Sequence, residues 1–186
     1  MELEGFRKFE EARLMCRIPT KTRKETLEEL GIASPLIVTV YFGRYSHQKI
    51  KIVNTNKDAQ VLAISPSTTL VDGMKVISGH PETQNVIAAS NLVIAKPGHS
   101  IVSECAKFRR PMYLLTSNYP EGNVLTKKSL ELSLAREIDF HDAGFPNIEI
   151  PSLGELEEMK NKIEKNAIRS IEKLRSPAEI IKEYVT

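Results

Sequence analysis

The stretch that decides the fold is residues 91–104, which read Asn91-Leu92-Val93-Ile94-Ala95-Lys96-Pro97-Gly98-His99-Ser100-Ile101-Val102-Ser103-Glu104. The apolar run predicts a strand buried on both faces, followed by a tight turn and a helix that begins near Ser100. The first helical amides lack internal partners, and the helix dipole places partial positive charge there. Gly98 lets a ligand approach the backbone, so the turn predicts an anion site. On these residues alone, a junction that binds nothing remains an open alternative.

Strands and helices alternate on both sides of this stretch. Apolar runs predict strands at 35–42, 61–64, 75–78, 91–95 and 111–116 and a short strand at 137–140, and helices are predicted over 82–89, 100–109 and 122–135. Alternation of this kind indicates βαβ units and a mostly parallel sheet. We therefore predict a doubly wound, Rossmann-like α/β domain over residues 35–150.

The two ends of the chain are predicted to be helical. Residues 1–34 form a polar segment with a capping box at Thr22-Arg23-Lys24-Glu25. Residues 151–186 are expected to form helices that pack on the same domain, and Ser152-Leu153-Gly154-Glu155 is a second capping box. The helical spacing predicts one buried face made of Leu156, Met159, Ile163 and Ala167.

Composition limits the partners that the sequence leads us to expect. The 186 residues carry 26 basic and 24 acidic side chains, a net charge of +2 that gives no reason to expect nucleic acid. No D-x-D, H-E-x-x-H or Cys/His cluster indicates a metal, and no cofactor is expected. No apolar run approaches the roughly 20 residues that span a bilayer. We expect a soluble, cytoplasmic protein with at most a peripheral membrane association made through a partner.

The pattern Lys-Pro-Gly-x-Ser-x-x-Ser-Glu at 96–104 resembles the donor-binding signature of GT-B glycosyltransferases. The likeness is to the group of the peptidoglycan-precursor N-acetylglucosaminyltransferase and the galactolipid synthases. It implies that Gly98, His99 and Ser100 hold the diphosphate of a nucleotide sugar and that Lys96 is a phosphate-contacting cation. It also implies that Glu104 binds the ribose hydroxyls.

Two further loops fit the same resemblance. Tyr119-Pro120-Glu121-Gly122-Asn123 follows a predicted strand where the family's loop contacts the donor sugar, which makes Glu121 and Asn123 the implied sugar contacts. Residues 76–80 stand where the family's loop meets the nucleobase, so His80 is the implied base contact. Taken without the resemblance, the first loop is equally a plain turn with a helix cap, and a lone loop histidine is equally a solvated one.

The resemblance covers residues 35–135 and corresponds to the C-terminal, donor-binding half of a GT-B enzyme. Roughly 35 residues precede the first strand, fewer than a domain of usual size needs. Inverting transfer needs a base at the acceptor hydroxyl, and the sequence assigns none. We expect the chain to bind a UDP-sugar for a transfer that needs a separate acceptor-binding domain or subunit, or a homo-oligomer. The alternative is a non-catalytic regulatory or scaffolding module, which His99 and the bulky Arg44 and Tyr45 favour.

Overall fold

Eight strands and five helices make up the computed structural model, which describes residues 15–42, 51–53, 56, 58–64, 74–77, 82–115, 119–138, 147–168, 173, 174, 176, 177 and 179. The strands are β1 (Leu36–Tyr41), β2 (Lys51–Val53), β3 (Ala59–Ile64), β4 (Lys75–Ile77), β5 (Leu92–Ala95), β6 (Met112–Leu115), β7 (Ala135–Ile138) and β8 (Asn147–Glu149). The helices are α1 (Arg23–Glu29), α2 (Thr83–Ala89), α3 (His99–Phe108), α4 (Pro120–Glu131) and α5 (Leu153–Ile163), the last continued by a π-helical turn at Glu164–Ile168.

Six parallel strands form the main sheet in the order β4-β3-β1-β5-β6-β7. Numbered along the chain within this sheet alone, the order is 3-2-1-4-5-6, the arrangement of a doubly wound Rossmann fold. The predicted fold class is therefore confirmed. The strand order reverses between β1 and β5, and in such sheets the ligand crevice lies there, outside the carboxyl ends of the strands.

Both faces of the sheet are covered, which explains why the central strands are apolar without alternation. Successive side chains of β1 point to opposite faces. Leu36 and Val38 join the cluster that contains Leu156 of α5, whereas Ile37 joins the cluster that contains Val86 of α2. The residues of β5 are divided in the same way, and all four are fully buried. The strand that precedes the predicted anion turn is thus fixed on two sides.

Both predicted capping boxes are present. The Thr22 and Ser152 hydroxyls accept from the backbone N–H of Glu25 and Glu155, and each glutamate accepts in return from the cap residue's N–H. The face of α5 and the following turn that was predicted to be core is buried, at Leu156, Met159, Ile163 and Ala167. The division of the chain at residues 34 and 150 stays a prediction.

Three local predictions differ from the structure. The helix predicted over 122–135 extends too far, since α4 ends at Glu131. The helix is closed by Ser133, which has a left-handed φ of 58°, and by a hydrogen bond from the Leu134 N–H to the Ser129 carbonyl. The next strand, β7, consequently begins at Ala135 rather than at 137. In the described part of the segment 1–34, only Arg23–Glu29 is helical.

A second, two-stranded parallel sheet was not predicted at all. It pairs β2 with β8, in the register Lys51 to Asn147 through Val53 to Glu149. The strand β8 (Asn147-Ile148-Glu149) has a single apolar residue and gives no strand signal, whereas β2 (Lys51-Ile52-Val53) has the same pattern as the predicted β4 and was overlooked. The buried Ile148 connects this small sheet to the cluster on the α5 side of the main sheet.

Candidate functional site

A cavity lies at the point where the strand order reverses. Tyr41 at the end of β1 pairs with Ala95 at the end of β5, so the two chain segments leave the sheet side by side. The cavity between them has a volume of about 280 Å³. Its lining consists of Tyr41, Phe42, Lys96, Pro97, Gly98, His99, Ser100 and Ile101. The predicted diphosphate residues therefore all line one cavity.

The amino end of α3 opens toward this cavity. Gly98 is its N-cap residue, and glycine has no side chain that could cap this end of the helix. The first bond of the helix runs from the Val102 N–H to the Gly98 carbonyl at 3.0 Å. The N–H groups of His99, Ser100 and Ile101 precede that bond and have no acceptor within the helix. Together with the helix dipole, they provide a positive, donor-rich end for an anion.

Gly98 is not required by the fold of the protein. Its φ of −154° and ψ of 147° are extended backbone that any residue adopts. Within the described part of the chain, a Cβ added at this position would meet only the Cγ2 atom of Ile101 within 4 Å, at 3.9 Å. That separation is an ordinary van der Waals contact. The absence of a side chain here instead leaves the helix end open to the cavity.

Lys96 supplies a cation to the same cavity. Its side chain is half-buried, and desolvation lowers the pKa of its ammonium group. Among the residues that the structure describes, no carboxylate pairs with it. A partly desolvated ammonium without a counter-charge, next to a helix amino terminus, favours binding of an anion.

The loop predicted to contact a sugar lies beside the predicted diphosphate turn. The Nε2 atom of His99 is 3.5 Å from the Oε1 atom of Glu121, and both side chains are exposed. Pro120 opens α4, and the Asn123 N–H donates to the Tyr119 carbonyl at 3.1 Å within its first turn. The side chain of Asn123 is exposed. The fold thus places the two predicted groups of residues next to each other, although they are about twenty positions apart in the sequence.

Glu104, the predicted ribose contact, already has a partner. It lies on the buried side of α3, where only 2% of its side chain is exposed. Its Oε1 atom accepts a hydrogen bond from Nε of Arg17 at 2.8 Å, and Nη2 of Arg17 donates to Oγ1 of Thr83 at 2.8 Å. Glu104 does not line the cavity. Sequence reasoning missed Arg17, because a buried glutamate signals the need for a cation but not where it comes from.

Some predictions fall outside the described residues. His80, the predicted nucleobase contact, and Arg44 and Tyr45 of the loop after β1 are among them. Within the described ranges, no group of three or more His, Cys, Asp or Glu side chains is placed to hold a metal ion. The same ranges contain no helix that is long and apolar enough to cross a membrane.

Several solved structures that resemble this chain are glycosyltransferases. Glycosyltransferase VinC in complex with dTDP superposes with a TM-score of 0.57 at 13% identity, over 85% of this chain and 43% of VinC. The calicheamicin glycosyltransferase CalG4 gives 0.55 at 14% identity, over 80% and 42%. UGT89C1 of Arabidopsis thaliana complexed with UDP gives 0.50 at 11% identity, over 90% and 47%. Neither a protein-family model nor a curated protein matches the sequence.

The likeness to these structures is one of fold. The chain spans less than half the length of each of them. It therefore has the α/β fold of one part of a glycosyltransferase, with the candidate cavity at the crevice of its parallel sheet.

Proposed function

We propose that the chain binds a nucleoside-diphosphate sugar, specifically a UDP-sugar, as the donor half of a glycosyltransferase. Transfer then needs a separate acceptor-binding domain or subunit, or a second copy of the chain. The observation that carries the proposal is the cavity at the strand-order reversal, which is lined both by the amino end of α3 and by Lys96, whose ammonium pairs with no carboxylate among the described residues.

The diphosphate is the part of the ligand that this arrangement fits best. The amides of His99, Ser100 and Ile101 donate to phosphate oxygens, and the Lys96 ammonium neutralises part of their charge. During transfer, negative charge grows on the leaving diphosphate, and donors that are already oriented stabilise it. The chain itself supplies these donors and this cation, whereas transfer also needs the acceptor-binding part.

The sugar and the ribose are assigned to residues on either side of the diphosphate. Glu121 and Asn123 offer a carboxylate and an amide to sugar hydroxyls, and the contact between His99 and Glu121 lies between this loop and the proposed diphosphate turn. Glu104 is the proposed ribose contact once Arg17 has released it. His80 remains the proposed nucleobase contact.

The complexes of similar fold support this class of ligand. VinC was crystallised with dTDP and UGT89C1 with UDP, both pyrimidine nucleoside diphosphates. The choice of UDP rests on the residue pattern at 96–104. The same pattern is the reason for proposing a function like that of the peptidoglycan-precursor N-acetylglucosaminyltransferase and the galactolipid synthases.

Titration calorimetry tests the proposal directly. The purified chain is titrated with UDP, UDP-N-acetylglucosamine, UDP-glucose and dTDP. Lys96→Met removes the cavity's cation at similar side-chain length, and Lys162→Met, on α5 across the sheet, is the matched control. A charge-assisted hydrogen bond contributes about 1.5–3 kcal/mol, so we expect Lys96→Met to weaken UDP binding by about tenfold or more. Equal UDP affinities of the two variants would refute the assignment of Lys96.

The second candidate function is a non-catalytic module with the same fold. The ion pair between Arg17 and Glu104 favours this second candidate. As long as the pair is formed, the Glu104 carboxylate is not available to a ribose. A folded chain that binds none of the four nucleotides, with or without Arg17, would favour this candidate over the first.

A further inference from the structure

Residues 15–22 form an irregular strap that lies against α2 and α3. The Thr20 N–H donates to Oδ1 of Asn85 at 2.9 Å, and Nδ2 of Asn85 donates to the Thr20 hydroxyl at 3.0 Å. The Thr20 hydroxyl also donates to Oε1 of Glu82 at 2.9 Å. The strap is therefore positioned by a specific set of polar contacts at the amino end of α2.

Arg17 is the residue through which the strap closes over α3. Its guanidinium joins the carboxylate of Glu104 to the hydroxyl of Thr83, each at 2.8 Å. Half of the Arg17 side chain is exposed, whereas Glu104 is 2% exposed. A ribose diol binds a carboxylate by donating its hydroxyls to the carboxylate oxygens, which requires direct access. Such access exists only after the guanidinium has moved.

The strap is held in a way that permits release. Its two large apolar side chains, Met15 and Ile18, are 75% and 77% exposed, so burial of apolar surface contributes little to holding it. The described contacts of the strap with α2 are polar and partly exposed, and each such contact is worth little in water. The Glu104 carboxylate, in contrast, needs some hydrogen-bonding partner because it is buried.

We propose that the strap is a gate at the ribose end of the donor site. In the closed state the Arg17 guanidinium is bonded to the Glu104 carboxylate. When a nucleotide binds, the ribose hydroxyls replace the guanidinium as partners of this carboxylate. The carboxylate is thus satisfied in both states, and the strap sets the fraction of molecules that can bind. This inference rests on the proposed function, because it takes Glu104 as the ribose contact.

The first test compares Arg17→Ala with Lys21→Ala. Lys21 is a strap cation that pairs with Glu29 and Glu82 but does not touch Glu104. A site open in about one molecule of ten has an apparent Kd about tenfold above its intrinsic value. We expect Arg17→Ala to lower the Kd for UDP by about this factor, and Lys21→Ala to leave it unchanged.

The second test follows the strap through a cysteine already present. Cys16 is next to Arg17 and half-buried, and burial raises the pKa of its thiol, whereas Cys105 is completely buried. Release of the strap exposes the Cys16 thiol, so UDP should accelerate its labelling by a thiol reagent. Inorganic phosphate, which lacks a ribose, should not. The variant Cys16→Ser should lose the UDP-dependent labelling, which would identify Cys16 as the labelled thiol.

The outcomes separate the gate from the proposed function. Tighter UDP binding by Arg17→Ala together with UDP-accelerated labelling of Cys16 supports both. UDP binding that is equal or weaker in Arg17→Ala, with unchanged labelling, overturns the gate and leaves the donor site standing. Absence of UDP binding by both the parent chain and Arg17→Ala overturns the donor site, and the gate with it.

Discussion

Replacement of Gly98 by alanine separates the role of this residue in folding from its role in binding. At an N-cap position alanine is worse than glycine by about 0.5–1 kcal/mol. In the unfolded chain alanine has less conformational freedom than glycine, which stabilises the folded state by about 0.4–1 kcal/mol where φ permits. The extended φ of −154° and the single 3.9 Å contact with Ile101 add no strain.

These contributions nearly cancel, so Gly98→Ala should change the free energy of unfolding by less than about 0.5 kcal/mol. For a chain of this size the Tm should move by less than about 2 °C. Binding should respond differently, because the methyl group stands at the helix end where the diphosphate approaches its amides. Loss of one charge-assisted hydrogen bond weakens UDP binding by about tenfold.

The assay is calorimetric titration with UDP together with thermal unfolding followed by circular dichroism. The expected result is an unchanged Tm and a Kd raised by about tenfold. A variant that unfolds at the same temperature and binds UDP as tightly as the parent chain would refute the diphosphate turn. A large fall in Tm would show instead that the glycine serves the fold.

Three further predictions concern the core, the cavity and a helix cap. Ile163→Ala removes a fully buried side chain and should lower the free energy of unfolding by about 2–5 kcal/mol in urea denaturation, whereas Leu153→Ala, at an exposed position, should change it by less than about 0.5 kcal/mol. Burial lowers the pKa of Lys96, so this side chain loses its charge at a lower pH than an ordinary lysine does. The affinity for UDP should therefore fall as the pH rises through the alkaline range. The variant Lys96→Arg, which stays charged, should remove this decline. Ser152→Ala breaks the capping box of α5 and should cost about 1 kcal/mol, measured as a lower urea midpoint at unchanged slope.

The features that the sequence predicted correctly are those with a local signal. The run before Lys96 is apolar at every position because both sheet faces are covered. The capping boxes at Thr22 and Ser152 carry their partner three residues away. The residues predicted to hold a diphosphate are neighbours in sequence, so one strand–turn–helix junction places them at a single cavity, whereas their binding role stays a prediction.

The features that the sequence did not predict depend on distant parts of the chain or lack their usual residue. Arg17 and Glu104 are 87 positions apart, and no pattern in either segment names the other. The end of α4 was missed because Ser133, rather than a glycine, takes the left-handed conformation that closes it. The small sheet was missed because it pairs β2 with β8, two segments far apart in the sequence whose pairing no local pattern indicates.

The most direct test of the donor site is a titration of the ¹⁵N-labelled chain with UDP, followed by two-dimensional NMR. If the diphosphate binds at the amino end of α3, the backbone amide signals of His99, Ser100 and Ile101 should shift saturably, and Lys96→Met should weaken the response. UDP concentrations that saturate binding without moving these amides, or no saturable shift anywhere in the folded chain, would contradict the central claim.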